Sequence, residues 1–206
     1  HLSRTQSFVT RFTLEQFNKI ISGFENESIR ELRKCDMELK EEQNQLKKFR
    51  RKELLAMRRI PTDIAIERNT WFHLGVNSNQ QYLYCLKRML DPIKEHVDNN
   101  FSPMPALYKE EFEQIRRKVN ELMNHTEQMI STNRYSLYRE TLIIADECKD
   151  ELSEVRKRHI DRMQQDSDEA TLKIALLYLN ILQETQELLS VMRHQLRAAH
   201  KFLERR

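Results

Sequence analysis

The chain holds seven histidines and three cysteines, and their spacing tests each use that chemistry has for them. His125 follows Glu121 by four residues, and His200 precedes Glu204 by four. Residues four apart share one face of a helix, so each pair is placed to pinch a single metal ion. A stable site needs three or more ligands, however, and neither pair has a third donor placed by sequence. Cys-x-x-Cys, His-Glu-x-x-His and EF-hand loop patterns do not occur. Cys35, Cys85 and Cys148 are odd in number and far apart, which fits small apolar fillers of helix seams in a reducing compartment. A nucleophile with a His and an acid needs a strained turn or helix start to present it, and the loops here are few, short and polar. The expectation is a protein that is not an enzyme, with no catalytic residues, no metal and no cofactor.

Two charged features stand apart from this. The run Lys47-Lys48-Phe49-Arg50-Arg51-Lys52, with Arg58-Arg59 after it, is the densest basic patch. It suits an anionic membrane face or a nucleic acid. It also fits an ordinary solvated helix face, because Glu38, Glu41 and Glu42 precede it at distances that allow i,i+4 pairs. Phe49 reads as a seam residue, so no platform for stacking bases is evident. The overall charge of +3, from 35 basic and 32 acidic residues, also argues against a nucleic-acid module. The second feature is Glu184, set in an otherwise apolar stripe where a charge is costly unless paired or coordinated. It either meets solvent or an Arg at a polar edge, or serves as an acidic ligand in a bundle groove.

The elements that must position these residues follow from the composition. Among 206 residues there are 2 Gly and 4 Pro, where ordinary usage gives roughly 14 and 10. Hairpins and phosphate-binding loops need the φ > 0 positions that Gly supplies, so β-sandwiches, barrels, Rossmann domains and P-loop NTPases are disfavoured. With 33% charged and 39% apolar residues, the chain reads as all-α, with few and long helices. No stretch approaches the roughly 18 apolar residues of a membrane span, since Asn180 interrupts the longest run, Ile174 to Leu182. No signal-peptide pattern opens the chain, and it begins at His1 rather than Met, so it reads as a segment of something larger.

Residues 1–11 show no sustained period and read as a linker. Six helices are expected after it: Thr13 to about Ile21, Asn26 to about Arg59, about Ile66 to Asn100, about Ala106 to Ser131, Tyr135 to Gln165, and Asp168 to about Glu204. Thr13 is the expected N-cap of the first and Gly23 its stop; Asp166, Ser167 and Asp168 open the sixth. The fifth carries a seam of Tyr138, Leu142, Ala145, Lys149, Leu152, Val155, His159 and Met163. Gly75 and Pro92 fall inside the third, where a kink or an altered site is expected.

The sixth helix has two apolar seams, one through Leu172, Ala175, Leu179, Leu182 and Leu189, the other through Leu177, Ile181, Glu184, Leu188 and Val191. Such a helix is central in a bundle, or one seam is an interface. On the interface reading, Leu177, Ile181, Leu188 and Val191 form a docking or homodimer seam. Moving back by 105 residues turns the second seam into that of the third helix, with Asn79 in the place of Glu184. The second and fifth helices match at 106, as in Leu32 with Tyr138 and Leu46 with Leu152. A fixed offset is what an internal duplication predicts. The expected architecture is one elongated six-helix domain over 12–206, made of two antiparallel three-helix bundles, 12–102 and 105–206, joined at Pro103-Met104-Pro105.

Three phrases add a resemblance: Glu95-His96-Val97-Asp98-Asn99-Asn100, Val155-Arg156-Lys157-Arg158-His159-Ile160, and Leu177-Tyr178-Leu179-Asn180-Ile181-Leu182-Gln183-Glu184-Thr185. They resemble the PhoU-like domains carried by bacterial phosphate permeases of the Pit type and by sodium/phosphate cotransporters. The resemblance covers about 12–206 and implies a pair of three-helix bundles. It further implies a regulatory domain on the cytoplasmic side of the bacterial inner membrane, with the transmembrane part of the same chain as partner. PhoU proteins carry a metal-binding Glu/Asp-x-x-x-Asp motif on one helix of each bundle. The matching positions are Asn79-x-x-x-Leu83 and Glu184-x-x-x-Leu188, where three of four acids are missing. A hard cation wants several carboxylate oxygens, so no stable metal cluster is expected. Two readings from other classes compete: a structural scaffold or coiled-coil adaptor, and a ferritin-like metal bundle, whose paired Glu-x-x-His motifs are not found.

Overall fold

The computed structural model describes residues 2–165 and 168–204; the side chains of Leu2, Arg68, Trp71, Phe72, Phe202, Leu203 and Glu204 lie outside the description. Six helices and no strand occur among the described residues: α1 Leu2–Glu25, α2 Ile29–Met57, α3 Thr62–Asp98, α4 Ala106–Thr132, α5 Tyr138–Gln165 and α6 Glu169–Glu204. The chain is all-α, and no described helix is long and apolar enough to cross a membrane.

The stops are local. Glu27, Asn100 and Asn133 take left-handed backbone at φ 51°, 52° and 55° and end α1, α3 and α4. The Ser28 hydroxyl accepts from the Glu31 amide and caps α2. His96, Asn99 and Asn100 finish α3: the Asn99 amide side chain donates to Glu95 O, and His96 Nε2 bonds Ser102 O at 2.7 Å. The carboxylate of Asp168 accepts from the Thr171 hydroxyl at the start of α6. Asp166 and Ser167 lie outside the described residues.

Consecutive helices run antiparallel. Helices α1, α2 and α3 pack on one another, as do α4, α5 and α6, and the two triplets meet through α1 on α4 and α3 on α6. The registers are set by cross-links: Asn18 to Asn120 for α1 and α4, Tyr82 to Gln195 and Arg88 to Glu184 for α3 and α6. One apolar core runs without a break through both triplets, with the Phe17 and Phe112 rings 6.2 Å apart across the join.

Residues 2–11 are helical and are no linker. The face they bury is largely polar (Gln6, Ser7 and Thr10, with Val9), so apolar periodicity does not reveal it. Thr10 and Thr13 donate back to Gln6 O and Val9 O, and Thr13 sits mid-helix rather than capping anything. Gly23 also lies within α1, where a Cβ would come 3.0 Å from Leu32 Cδ2; the glycine admits a close approach of α2 instead of stopping the helix. In α5 the buried stripe is Thr141, Ala145, Cys148, Leu152, Val155 and His159, so the expected seam is half correct: Lys149 is exposed and Cys148 takes its place.

Helix α3 continues through Gly75 and Pro92. Proline has no N–H to give the carbonyl four residues back, here Arg88 O. The Asn180 amide of α6 donates to that oxygen at 3.1 Å and fills the missing bond. This assigns a job to the polar residue that interrupts the apolar run of α6.

Candidate functional site

The two positions aligned by the 105-residue offset take different environments. Glu184 is 8% exposed, and Arg88 Nε lies 3.1 Å from each of its carboxylate oxygens. Its charge is therefore answered by a guanidinium from α3, and an outer nitrogen of the same Arg88 lies 3.4 Å from Cys85 Sγ. Asn79 is 1% exposed, and neither atom of its amide has a hydrogen-bond partner among the described residues. Leu83 and Leu188, four residues on, are buried and apolar. Because α3 and α6 are antiparallel, Asn79 and Glu184 hold equivalent places in their own helices without meeting each other. Among the described residues no three His, Cys, Asp or Glu side chains gather as a metal site.

Beside this seam lies a polar knot in the core. Tyr82 Oη donates to Gln195 Oε1 at 2.6 Å, and Gln195 Nε2 donates to Thr10 Oγ1 at 3.0 Å. Burial raises the Tyr82 phenol well above its ordinary value, so it stays a donor. The knot ties α1, α3 and α6 at one level and fixes their register.

The docking seam expected on α6 is already covered. Leu177, Ile181, Leu188 and Val191 are all buried, and α6 packs against α3, α4 and α5. With three neighbours it is a central helix, and that accounts for its second seam. The basic run behaves differently. Lys47, Lys48, Arg50, Arg51 and Lys52 are all exposed. Of the acids expected to pair with it, Glu38 meets Lys19 and Lys34 and Glu42 is buried, while Glu41 is exposed and makes no ion pair among the described residues.

The cysteines are free and buried. Burial pushes the Cys35 and Cys148 thiols up to about 11 and Cys85 to about 12, so they stay protonated at neutral pH. Of the two Glu–His pairs, His200 stacks on Tyr138 with ring centres 3.9 Å apart, while His125 buries Nδ1 without a hydrogen-bond partner.

Sequence reasoning missed a cluster at the end of the second triplet. Glu111 of α4 accepts from Tyr178 Oη of α6 at 2.8 Å and from Arg162 of α5 at 2.9 Å, with Arg158 3.6 Å away. The same Arg162 nitrogen reaches His159 Nδ1 at 3.1 Å. A guanidinium only donates, so Nδ1 accepts, and Nε2 carries the hydrogen donated to Ala175 O at 2.7 Å. Tyr108 stacks on Tyr178 at 4.5 Å and lies under Arg162. Burial, and then the bond to Glu111, drives the Tyr178 phenol far above its ordinary range. The available signal was the pair Tyr108 and Glu111, three apart on one helix face, facing a fifth helix that places Arg158, His159 and Arg162 within a turn of each other. Every member has a partner inside the protein, and the arrangement clamps three helices.

Compared with known protein families and curated proteins, the chain matches no family model and no curated protein.

Proposed function

We propose that this chain is a PhoU-like regulatory domain of an inorganic phosphate transporter, working by protein contact rather than by catalysis. The observation that carries the reading is the packing order. Each consecutive helix triplet packs on itself, and the triplets join through α1 on α4 and α3 on α6, with the offset-related α3 and α6 back to back. This agrees with the paired three-helix bundles of the PhoU fold. The substituted acidic registers fit a member that regulates without a metal cluster: Glu184 is spent on Arg88, and Asn79 offers only a neutral amide. The test is phosphate uptake by the full-length protein that contains this segment, with and without residues 12–206, across a range of external phosphate. A changed uptake curve supports the reading. Unchanged uptake and unchanged response to phosphate overturn it and favour a structural scaffold.

A further inference from the structure

The α2–α3 hairpin carries a surface that the packing of the bundle does not use. Between Lys47 and Leu74 no described side chain is buried, although Leu46 and Gly75 on either side are. Eight basic and three acidic residues fall in this stretch, a net charge of +5; the other 178 residues, with 27 basic and 29 acidic, carry −2. The positive charge of the whole chain thus resides on one hairpin. Among the described residues, none of the five cations of the 47–52 run, nor Arg58 or Arg59, makes an ion pair. Interleaved with them are aliphatic side chains facing water: Leu54 and Leu55 near the end of α2, Ile64 and Ile66 at the start of α3, each between 43% and 63% exposed.

From this juxtaposition we infer that the α2–α3 turn docks on an anionic lipid bilayer. The cations answer the negative headgroups, and the four aliphatic side chains flanking residues 58–61 enter the interface. Long Lys and Arg stems lie along the apolar boundary while their charges stay among the headgroups. Nucleic acid explains the charge but gives no use for exposed Leu and Ile. An acidic peptide is better seated in a concavity, and an open groove of about 280 Å³ between Pro92, His96, Phe101, Lys173 and Leu177 lies at the other end of α3 rather than beside the cations. The inference stands whether or not the domain serves a transporter.

The experiment is co-sedimentation of the purified chain with phosphatidylcholine vesicles, with and without phosphatidylglycerol, alongside a DNA-binding titration. Two variants accompany it: one with Lys47, Lys48, Arg50, Arg51 and Lys52 changed to Gln, and one with Leu54→Ser, Leu55→Ser, Ile64→Ser and Ile66→Ser. All nine sites are exposed, and thermal melts establish that both variants keep the fold. Binding is expected only with the anionic lipid, and it weakens as salt shortens the screening length from about 10 Å at 0.1 M to about 3 Å at 1 M. Each basic residue near the surface is worth about fivefold in partitioning, so the Gln variant loses on the order of a hundredfold or more. The Ser variant loses on the order of a hundredfold or more through its four missing apolar contacts. No binding, equal binding to neutral vesicles, wild-type binding by both variants, or tighter binding to DNA than to anionic vesicles each overturns the inference.

Discussion

Three helices depend on one carboxylate. Glu111 is 11% exposed in its side chain and accepts from Tyr178 and Arg162, which come from different helices. Truncating it leaves the Tyr178 phenol without its acceptor and the Arg162 guanidinium with only the neutral His159 Nδ1 to answer it, and groups stranded in this way cost more than the bonds themselves contributed. Glu111→Ala is expected to lower stability by about 2–3 kcal/mol in urea unfolding. Glu113→Ala, removing an exposed i,i+4 partner of Arg117, changes it by less than about 0.5 kcal/mol. Equal losses at the two sites would refute the clamp. Glu42 makes the opposite case: burial, and then the neighbouring Glu41, raises its carboxyl above its ordinary 4.5. The folded chain then holds a proton that the unfolded chain has released, so stability declines as pH rises past about 4.5 and levels off above the folded value. Glu42→Gln is expected to raise Tm by a few degrees at pH 7.5, with the gain vanishing near pH 4. A gain that persists unchanged at pH 4 would show that charge is not its cause.

Among the elements, α3 shows why helix breakers do not always break. Pro92 removes a bond within the helix, and Asn180 replaces it from α6, so two residues that look unfavourable alone compensate each other. Pro92→Ala restores the internal donor and is expected to stabilise the protein by about 1–3 kcal/mol. Asn180→Ala should then cost more with Pro92 in place than in the Pro92→Ala background, a coupling of about 0.5–1 kcal/mol in a double-mutant cycle. Additive effects would mean that the Asn180 bond is idle. The same helix marks what sequence can convey. The ends of α2 through α6 lie within a few residues of their expected places, because Ser28, Pro61, the Asn99-Asn100 pair, Pro105 and Asp168 act locally. The first turns of α1 escaped notice because their buried face is Gln, Ser and Thr, with Thr10 joined to the Tyr82–Gln195 knot and Ser7 donating to Glu127 of α4, contacts that only the tertiary structure assembles. The Glu111 clamp was hidden for the same reason, since its three helices meet only in the fold. The Arg partner of Glu184 was among the open readings of the sequence, but its identity as Arg88 depends on the antiparallel register of α3 and α6.

For the whole molecule, the question is whether the two helix triplets are separate folding units. Their order in the chain favours independence, because each packs on itself through short connections. The distribution of the core argues against it. Phe17 rests near Phe112, Tyr82 bonds Gln195, and Leu83, Leu86, Ile181 and Leu188 are all buried where α3 and α6 carry the join. A triplet on its own would turn those side chains to water, each at a cost of about 1.5–3 kcal/mol, against a total stability of about 5–15 kcal/mol for an ordinary domain. The chain is therefore expected to melt in a single transition with matching calorimetric and van't Hoff enthalpies, although it exceeds the length at which two-state unfolding is usual. The fragment 2–102 should lack a cooperative melt of its own, or recover one only by self-association that covers the α1 and α3 faces. Scanning calorimetry of the full chain, with size-exclusion chromatography and melting of the fragment over a range of concentrations, decides it. Two resolved transitions, or a monomeric fragment that melts cooperatively, would make the halves independent domains and leave α3 on α6 as a contact between them.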